Sequence, residues 1–211
     1  MILGMAFAPL LYMYAVSLFD FGPEGILLQS TVLSTIYGFT SGTFVSSMIA
    51  EEKEKNTLKT LLLNGVSSWQ YLFTVIFFPL LFSIVEISLL PLIMGEQLEK
   101  PIVFFAITSM TSLVFVEINV LIALLSKGVA QSSFFSMLLY MLANFLPLVM
   151  MMQESVKKWV DWTFVGPNTN YFLFKEITSM RDQNFLVLGL WIFILGILLI
   201  LVYRKSMQIG E

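Results

Sequence analysis

Glu51-Glu52-Lys53-Glu54-Lys55-Asn56-Thr57-Leu58-Lys59-Thr60-Leu61-Leu62-Leu63-Asn64-Gly65 decides how this chain folds. Six charged residues fall within its first nine positions, and long apolar runs flank it on both sides. Such a cluster is too costly to lie in hydrocarbon, so it reads as a water-facing connection between two membrane spans. It also carries helix signals. Asn56 is an N-cap residue type, and Thr57 to Leu63 brings leucines at positions 58, 61, 62 and 63. Asn64-Gly65 then stops the helix, and Ser67 with Gln70 three residues on forms the capping box expected to open the next span. The segment 51–65 is thus expected to hold a short amphipathic helix at the mouth of a bundle, a shape suited to docking.

Composition agrees with a membrane chain. The 211 residues are 58% hydrophobic and 12% charged, against about 25% charged in soluble domains. The expected fold class is an all-α integral membrane protein, with residues 1–211 as one transmembrane domain. The chain has no cysteine and no histidine. That removes disulfides, thiol chemistry, and the commonest general base and metal ligand. A net charge of −3 without a basic cluster gives no footing for nucleic acid or for anionic lipid head groups. No Gly-x-x-x-x-Gly-Lys-Ser/Thr phosphate loop occurs, so the chain is not expected to bind or hydrolyse ATP itself. The pair Glu51-Glu52 suggests a Glu-Glu-x-x-x-Arg protease motif, but position 56 is Asn.

Windows of about 20 apolar residues give six expected spans, at 1–19, 26–50, 70–94, 101–125, 130–152 and 185–203. The first is ended by Asp20 and the Gly22-Pro23-Glu24-Gly25 turn, and the third by Gly95-Glu96. The first lacks a positive leader and a small-residue cleavage site, so it is expected to be a retained span. With both termini cytoplasmic, Lys53, Lys55, Lys59, Lys127, Arg204 and Lys205 face inward, and Lys100, Lys157, Lys158, Lys175 and Arg181 outward. The segment 153–184 carries Trp159, Trp162, Phe164, Tyr171, Phe172 and Phe174 among Lys157, Lys158, Asp161, Lys175 and Glu176. Gly166-Pro167-Asn168 divides it into two short helical pieces, expected to settle externally at the membrane interface as an anchor or a gate.

The pattern Glu51/Glu52, Lys53, Glu54, Lys55, Asn56-Thr57-Leu58, Leu61-Leu62, Val66-Ser67 resembles the cytoplasmic coupling helix of type-2 ABC exporter permeases. Its position between the second and third of six spans adds to the likeness. The chain departs from that pattern at Asn56, where Gly is usual, at Lys59, where an acid is usual, and at Asn64-Gly65, where Pro is common. The resemblance implies the same orientation in a bacterial plasma membrane. It implies two permease subunits, identical or different, each docked on a separate nucleotide-binding ATPase subunit that holds ATP and Mg. Glu51, Glu52, Glu54, Thr57, Leu58 and Leu61 would make that docking surface. Cargo in such small relatives includes peptides, antibiotics and other amphipathic molecules, sometimes in self-immunity. Relatives usually begin with an amphipathic elbow helix before the first span, and this sequence starts directly at Met1.

Three further features bear on transport. Ser30, Ser34, Gly38, Gly42, Ser46 and Ala50 form a ladder of small residues at every fourth position, expected to let another helix approach closely, inside the subunit or across a dimer. Glu86 and Glu117 are the two carboxylates expected inside the membrane, each costing ~2.5–3.5 kcal/mol if charged at mid-bilayer. Either they belong to a pathway or proton site, or they are acids hydrogen-bonded locally, Glu117 for instance near Asn119 and Ser112. They are expected to lie roughly 10 Å apart in depth and not to pair. Pro79, Pro91 and Pro147 would bend or open their helices. The rival expectation is a six-span protein independent of ATP, an ion-coupled carrier or a membrane immunity protein using Glu86 and Glu117.

Overall fold

The computed structural model describes residues 2–18, 25–95, 98, 100–174 and 182–208. All elements among them are helical: α1 (Ile2–Ser17), α2 (Gly25–Gly38), a π turn (Phe39–Thr43), α3 (Phe44–Glu54), α4 (Thr57–Leu63), α5 (Ser68–Met94), α6 (Pro101–Leu125), α7 (Val129–Met152), α8 (Glu154–Val160), α9 (Gly166–Thr169), a second π turn (Asn170–Phe174) and α10 (Gln183–Gln208). Helix is the economical answer for apolar sequence, because it closes every backbone hydrogen bond within the segment. Four helices are long and apolar enough to cross a membrane: Trp69–Met94, Pro101–Leu125, Val129–Met150 and Gln183–Tyr203. α1 is apolar but shorter. α2, the π turn and α3 run on without a break, but no single α-helix there is long enough to count as a span.

The helix ends follow their sequence signals closely. Ser67 and Gln70 form the expected capping box: Gln70 N–H donates to Ser67 Oγ at 3.3 Å, and Ser67 N–H to Gln70 Oε1 at 2.9 Å. Gly95, in left-handed conformation, closes α5. Gly65 sits at φ +89°, and Val66 N–H reaches back to the Leu61 carbonyl at 3.2 Å, the six-to-one closure that needs a left-handed residue. Asn56 departs from expectation. It precedes α4 as an N-cap residue would, but its φ is +57° rather than extended. Its main task is to end α3: Asn56 N–H bonds the Lys53 carbonyl at 3.1 Å, and its own carbonyl starts α4 by accepting from Thr60 N–H at 3.2 Å. The turn at 19–24, Glu96, and Lys175, Glu176 and Arg181 lie outside the described residues.

α6 is the central helix, with 67% of its span buried against 22–28% for the other three. Two apolar cores stack along it. One joins Met13, Leu33, Tyr37, Ile87, Phe104, Phe115 and Phe172; the other joins Val45, Ile49, Tyr71, Val75, Val120 and Tyr203 near the charged end. A third, smaller cluster packs α6 against α10.

The ladder of small residues does not form one stripe. Four residues advance a straight helix by 400°, so such a ladder drifts about 40° per rung, and the π turn adds further rotation. Gly38 faces α7: a Cβ there would lie 2.1 Å from the Tyr140 ring. Gly42 faces α6, where a Cβ would lie 3.2 Å from Asn119 Nδ2. Ser46 returns to α7, accepting from Ser136 Oγ at 2.7 Å, while its carbonyl accepts from Ser132 Oγ at 3.2 Å. Ser34 bonds its own helix at the Ser30 carbonyl.

The aromatic segment also divides. Trp159 and Trp162 are 82% and 60% exposed, as an interfacial anchor would be. The second piece turns into the bundle instead. Pro167, Asn168, Thr169 and Asn170 are buried, the Phe164 ring meets Phe115 at 5.3 Å and Trp191 at 5.7 Å, and Tyr37 Oη donates to Asn168 Oδ1 at 2.9 Å.

Gly38→Ala is expected to cost about 1–3 kcal/mol by overpacking against Tyr140, lowering the thermal midpoint in detergent. Tyr140→Leu, which removes the clashing ring, is expected to recover part of that loss in the double variant.

Candidate functional site

The charged junction 51–56 is tied into the bundle by three side chains. Lys53 Nζ donates to the carbonyls of Ala123 (3.3 Å), Leu124 (2.7 Å) and Ser126 (2.7 Å). These are the unpaired carbonyls at the end of α6, where the helix dipole is negative and a cation is favoured. Burial pushes the Lys53 ammonium down from the usual lysine range. The next residue does the opposite job. Glu54 Oε2 accepts from Val129 N–H at 3.1 Å, at the start of α7, where unpaired N–H groups favour an anion. Adjacent residues of opposite charge therefore cap the two helix ends that meet at Ser126-Lys127-Gly128.

The remaining acids of the motif are also engaged within the chain. Glu52 Oε2 accepts from Tyr71 Oη at 2.5 Å, joining α3 to α5. Glu51 pairs with Lys55 at 2.5 Å across one helical turn, and this contact holds the Lys55 ammonium above its usual range. Both groups are partly or largely exposed, so the pair contributes little to stability. The apolar part of the motif stays at the surface. Thr57 and Thr60 are exposed and Leu63 is 78% exposed; Leu61 is half-buried and, like Val66, lines a cavity beside α3 and α5. The side chains of Leu58, Lys59 and Leu62 lie outside the described ones.

Deeper in the bundle, the π turn Phe39–Thr43 brings polar atoms into the core. Thr40, Ser41 and Gly42 are buried there. Ser41 Oγ lies 2.6 Å from Ser83 Oγ, and Thr43 Oγ1 bonds the Gly38 carbonyl at 2.9 Å. The Thr40 hydroxyl bears on the Glu86 carboxyl as a hydrogen-bond donor, while Glu86 Oε2 has no hydrogen-bond partner. This polar level lies between the two apolar cores: Tyr37 and Ile87 belong to one, Val45 and Val75 to the other. π turns inside helices often mark functional positions.

Glu117 occupies a separate place. It faces α10, where a Cβ on Gly196 would lie 3.8 Å from its Oε1, and its Oε2 has no partner. The local bonds expected from Ser112 and Asn119 are not made. Ser112 Oγ has no partner, and Asn119 Nδ2 donates to the Phe115 carbonyl at 2.8 Å. Glu86 and Glu117 face different helices.

Sequence reasoning missed the tasks of Lys53 and Glu54 as caps of distant helices, because capping partners 70 or more residues away leave no local pattern. It also missed the π turn, for which the run of small polar residues Thr40-Ser41-Gly42-Thr43 in mid-span was the available signal.

Lys53→Met leaves three helix-end carbonyls without their cation and is expected to destabilise by about 1–3 kcal/mol. Glu54→Gln keeps an acceptor oxygen and should cost less. Hydrogen exchange of amides in 123–132 is expected to rise in both, with a non-additive double variant because both side chains hold one turn. Comparison with known protein families finds no family model that matches this chain, and comparison with curated proteins finds no relative.

Proposed function

We propose that this chain is the membrane-spanning permease subunit of an ATP-driven exporter of the type-2 ABC kind, with α4 as its coupling helix. The observation that carries the reading is the joint at Asn56. In the resembled motif Gly is usual at this position, and here the backbone is left-handed, φ +57°. That conformation is the physical reason a glycine would be favoured there, and Asn is the side chain that best substitutes for it. The departure from the motif therefore keeps a residue type suited to the left-handed backbone that glycine favours. A second support is the short helix itself, closed at both ends by left-handed residues and following directly on α3, whose end Lys53 and Glu54 root in the α6–α7 turn.

In this reading α1 and the continuous α2–π turn–α3 rod add two spans to the four long helices, giving six, with α4 on the cytoplasmic side and α8 outside. Thr57, Leu58 and Leu61, with Glu51 at the rim, meet the ATPase subunit. Glu52 and Glu54 act mainly by fixing the joint to α5 and α7. Two such chains form the pathway. Closure of the ATPase pair moves α4 and shifts the bundle between states that differ in affinity for cargo, as coupled transport requires. ATP and Mg belong to the partner. Glu86 and Glu117 serve the pathway, and the cargo is a peptide, antibiotic or other amphipathic molecule.

The alternative, an ATP-independent carrier, is favoured by one observation: Glu86 is buried beside a π turn with an unpaired oxygen. The two readings separate in one experiment. The tagged chain is purified in mild detergent from its own membranes and its companions are identified by mass spectrometry. The expected result is a nucleotide-binding subunit that is lost with Leu58→Asp/Leu61→Asp while membrane insertion persists. A chain that returns without such a subunit, under conditions that keep other transporter complexes whole, overturns the exporter reading. Glu86→Gln is then the variant expected to abolish ion-coupled transport.

A further inference from the structure

A cavity of ≈ 430 Å³ opens between α3, α4 and α5, within the range of sites that hold small organic molecules. Two stripes line its length. Phe44, Met48 and Glu52 repeat every fourth residue on α3, and Tyr71, Val75, Phe78 and Phe82 follow the helical repeat on α5. Their order along the helices sorts them by depth. Glu52 and Tyr71 meet at the mouth, joined by their hydrogen bond, and Phe44 lies eight residues, or about 12 Å, deeper. The cavity is therefore acidic at its entrance and aromatic within. Phe78 and Phe82 are 51% and 44% exposed along its open side.

Charge decides what fits. Among the described lining residues Glu52 is the one carboxylic acid, and none is basic. Among the described residues Glu52 has no cation within salt-bridge distance, since the one ion pair joins Glu51 to Lys55. Tyr71 donates to one carboxylate oxygen, Oε2, and among the described residues no other side chain is bonded to Glu52. A phospholipid would set its phosphate against this carboxylate, with no basic side chain among the described lining residues to receive it. An apolar body carrying a single positive charge meets every surface of the cavity, with the aromatic faces adding cation–π attraction.

We propose that this cavity is a binding site for monocationic amphiphilic molecules, with the positive charge at Glu52 and the apolar body against Phe44, Phe78 and Phe82. The site belongs to the chain alone and does not depend on an ATPase partner or on the exporter reading.

The test uses the full chain in neutral-lipid nanodiscs and two probes of the same shape, tetraphenylphosphonium and tetraphenylborate, with empty nanodiscs subtracted. Saturable binding of the cation is expected, and none of the anion. Glu52→Gln is expected to weaken the cation at least ~10-fold, whereas Glu51→Gln leaves it unchanged. Tyr71→Phe breaks the same hydrogen bond but keeps the charge, so it should hold or tighten binding; this separates loss of charge from local disorder. Phe82→Ala is expected to weaken binding without changing the preference for the cation. Absence of saturable cation binding, equal binding of the anion, an unchanged Glu52→Gln variant, or equal loss in Tyr71→Phe each overturns the proposal.

Discussion

Backbone polar groups that find no water must find a partner within the chain, and this requirement governs the whole molecule. Inside the spans, regular helix meets it automatically. At helix ends it does not, because four N–H and four C=O groups are left over at each terminus. The charged residues of the 51–56 junction are set where those leftovers occur. Lys53 takes the carbonyls that end α6, and Glu54 takes an N–H that begins α7. Two adjacent side chains thus satisfy the two ends of one tight turn. The same stretch that forces the chain out of hydrocarbon fastens α3 to its neighbours.

The π turn is the complementary case. It keeps the backbone bonded, Phe44 N–H reaching the Phe39 carbonyl, but rewinds the helix enough to turn Thr40 and Ser41 into the core. Burying hydroxyls and a carboxyl without partners costs free energy. Here Ser41 and Ser83 satisfy each other, while Glu86 retains one unpaired oxygen. Apolar cores above and below isolate this level from the surface. The result is a polar layer at one height in an otherwise apolar bundle, reached from the junction along a single rigid helix.

Most of the fold was legible in the sequence because its signals are local. The long helices α5, α6 and α7 begin within two residues of their expected starts, since charged and glycine-containing breaks bracket uniform apolar runs. The capping box at Ser67 and Gln70 and the stops at Gly65 and Gly95 needed only neighbours a few residues away. What escaped is non-local. The small-residue ladder looked like one stripe, but a 3.6-residue helix with a π turn distributes it between α6 and α7. The aromatic run after α7 looked uniformly interfacial. Its second half is buried because Asn168 has a specific partner in Tyr37, a contact across 131 positions. Glu86 and Glu117 were expected to be buried in the bundle and are, while their separate surroundings required the packing.

The distance from junction to polar layer has a mechanical consequence under the proposed function. α3 has 11 residues and spans about 16 Å, with Lys53 and Glu54 at one end and Thr43 at the other. A helix of that length moves as a rod when pushed at its end, so displacement of α4 reaches the π turn with little loss. The π turn is where the rod is least regular and where its side chains contact α5 through Ser41 and Ser83. Since Lys53 and Glu54 fix the same rod to α6 and α7, a push at α4 must either carry that turn along or break charge-assisted bonds worth ~1.5–3 kcal/mol each. Carrying the turn is the less costly course. Movement at the junction is therefore expected to be a concerted shift of α3, the α6–α7 turn and the Glu86 level, not a local flexing of α4.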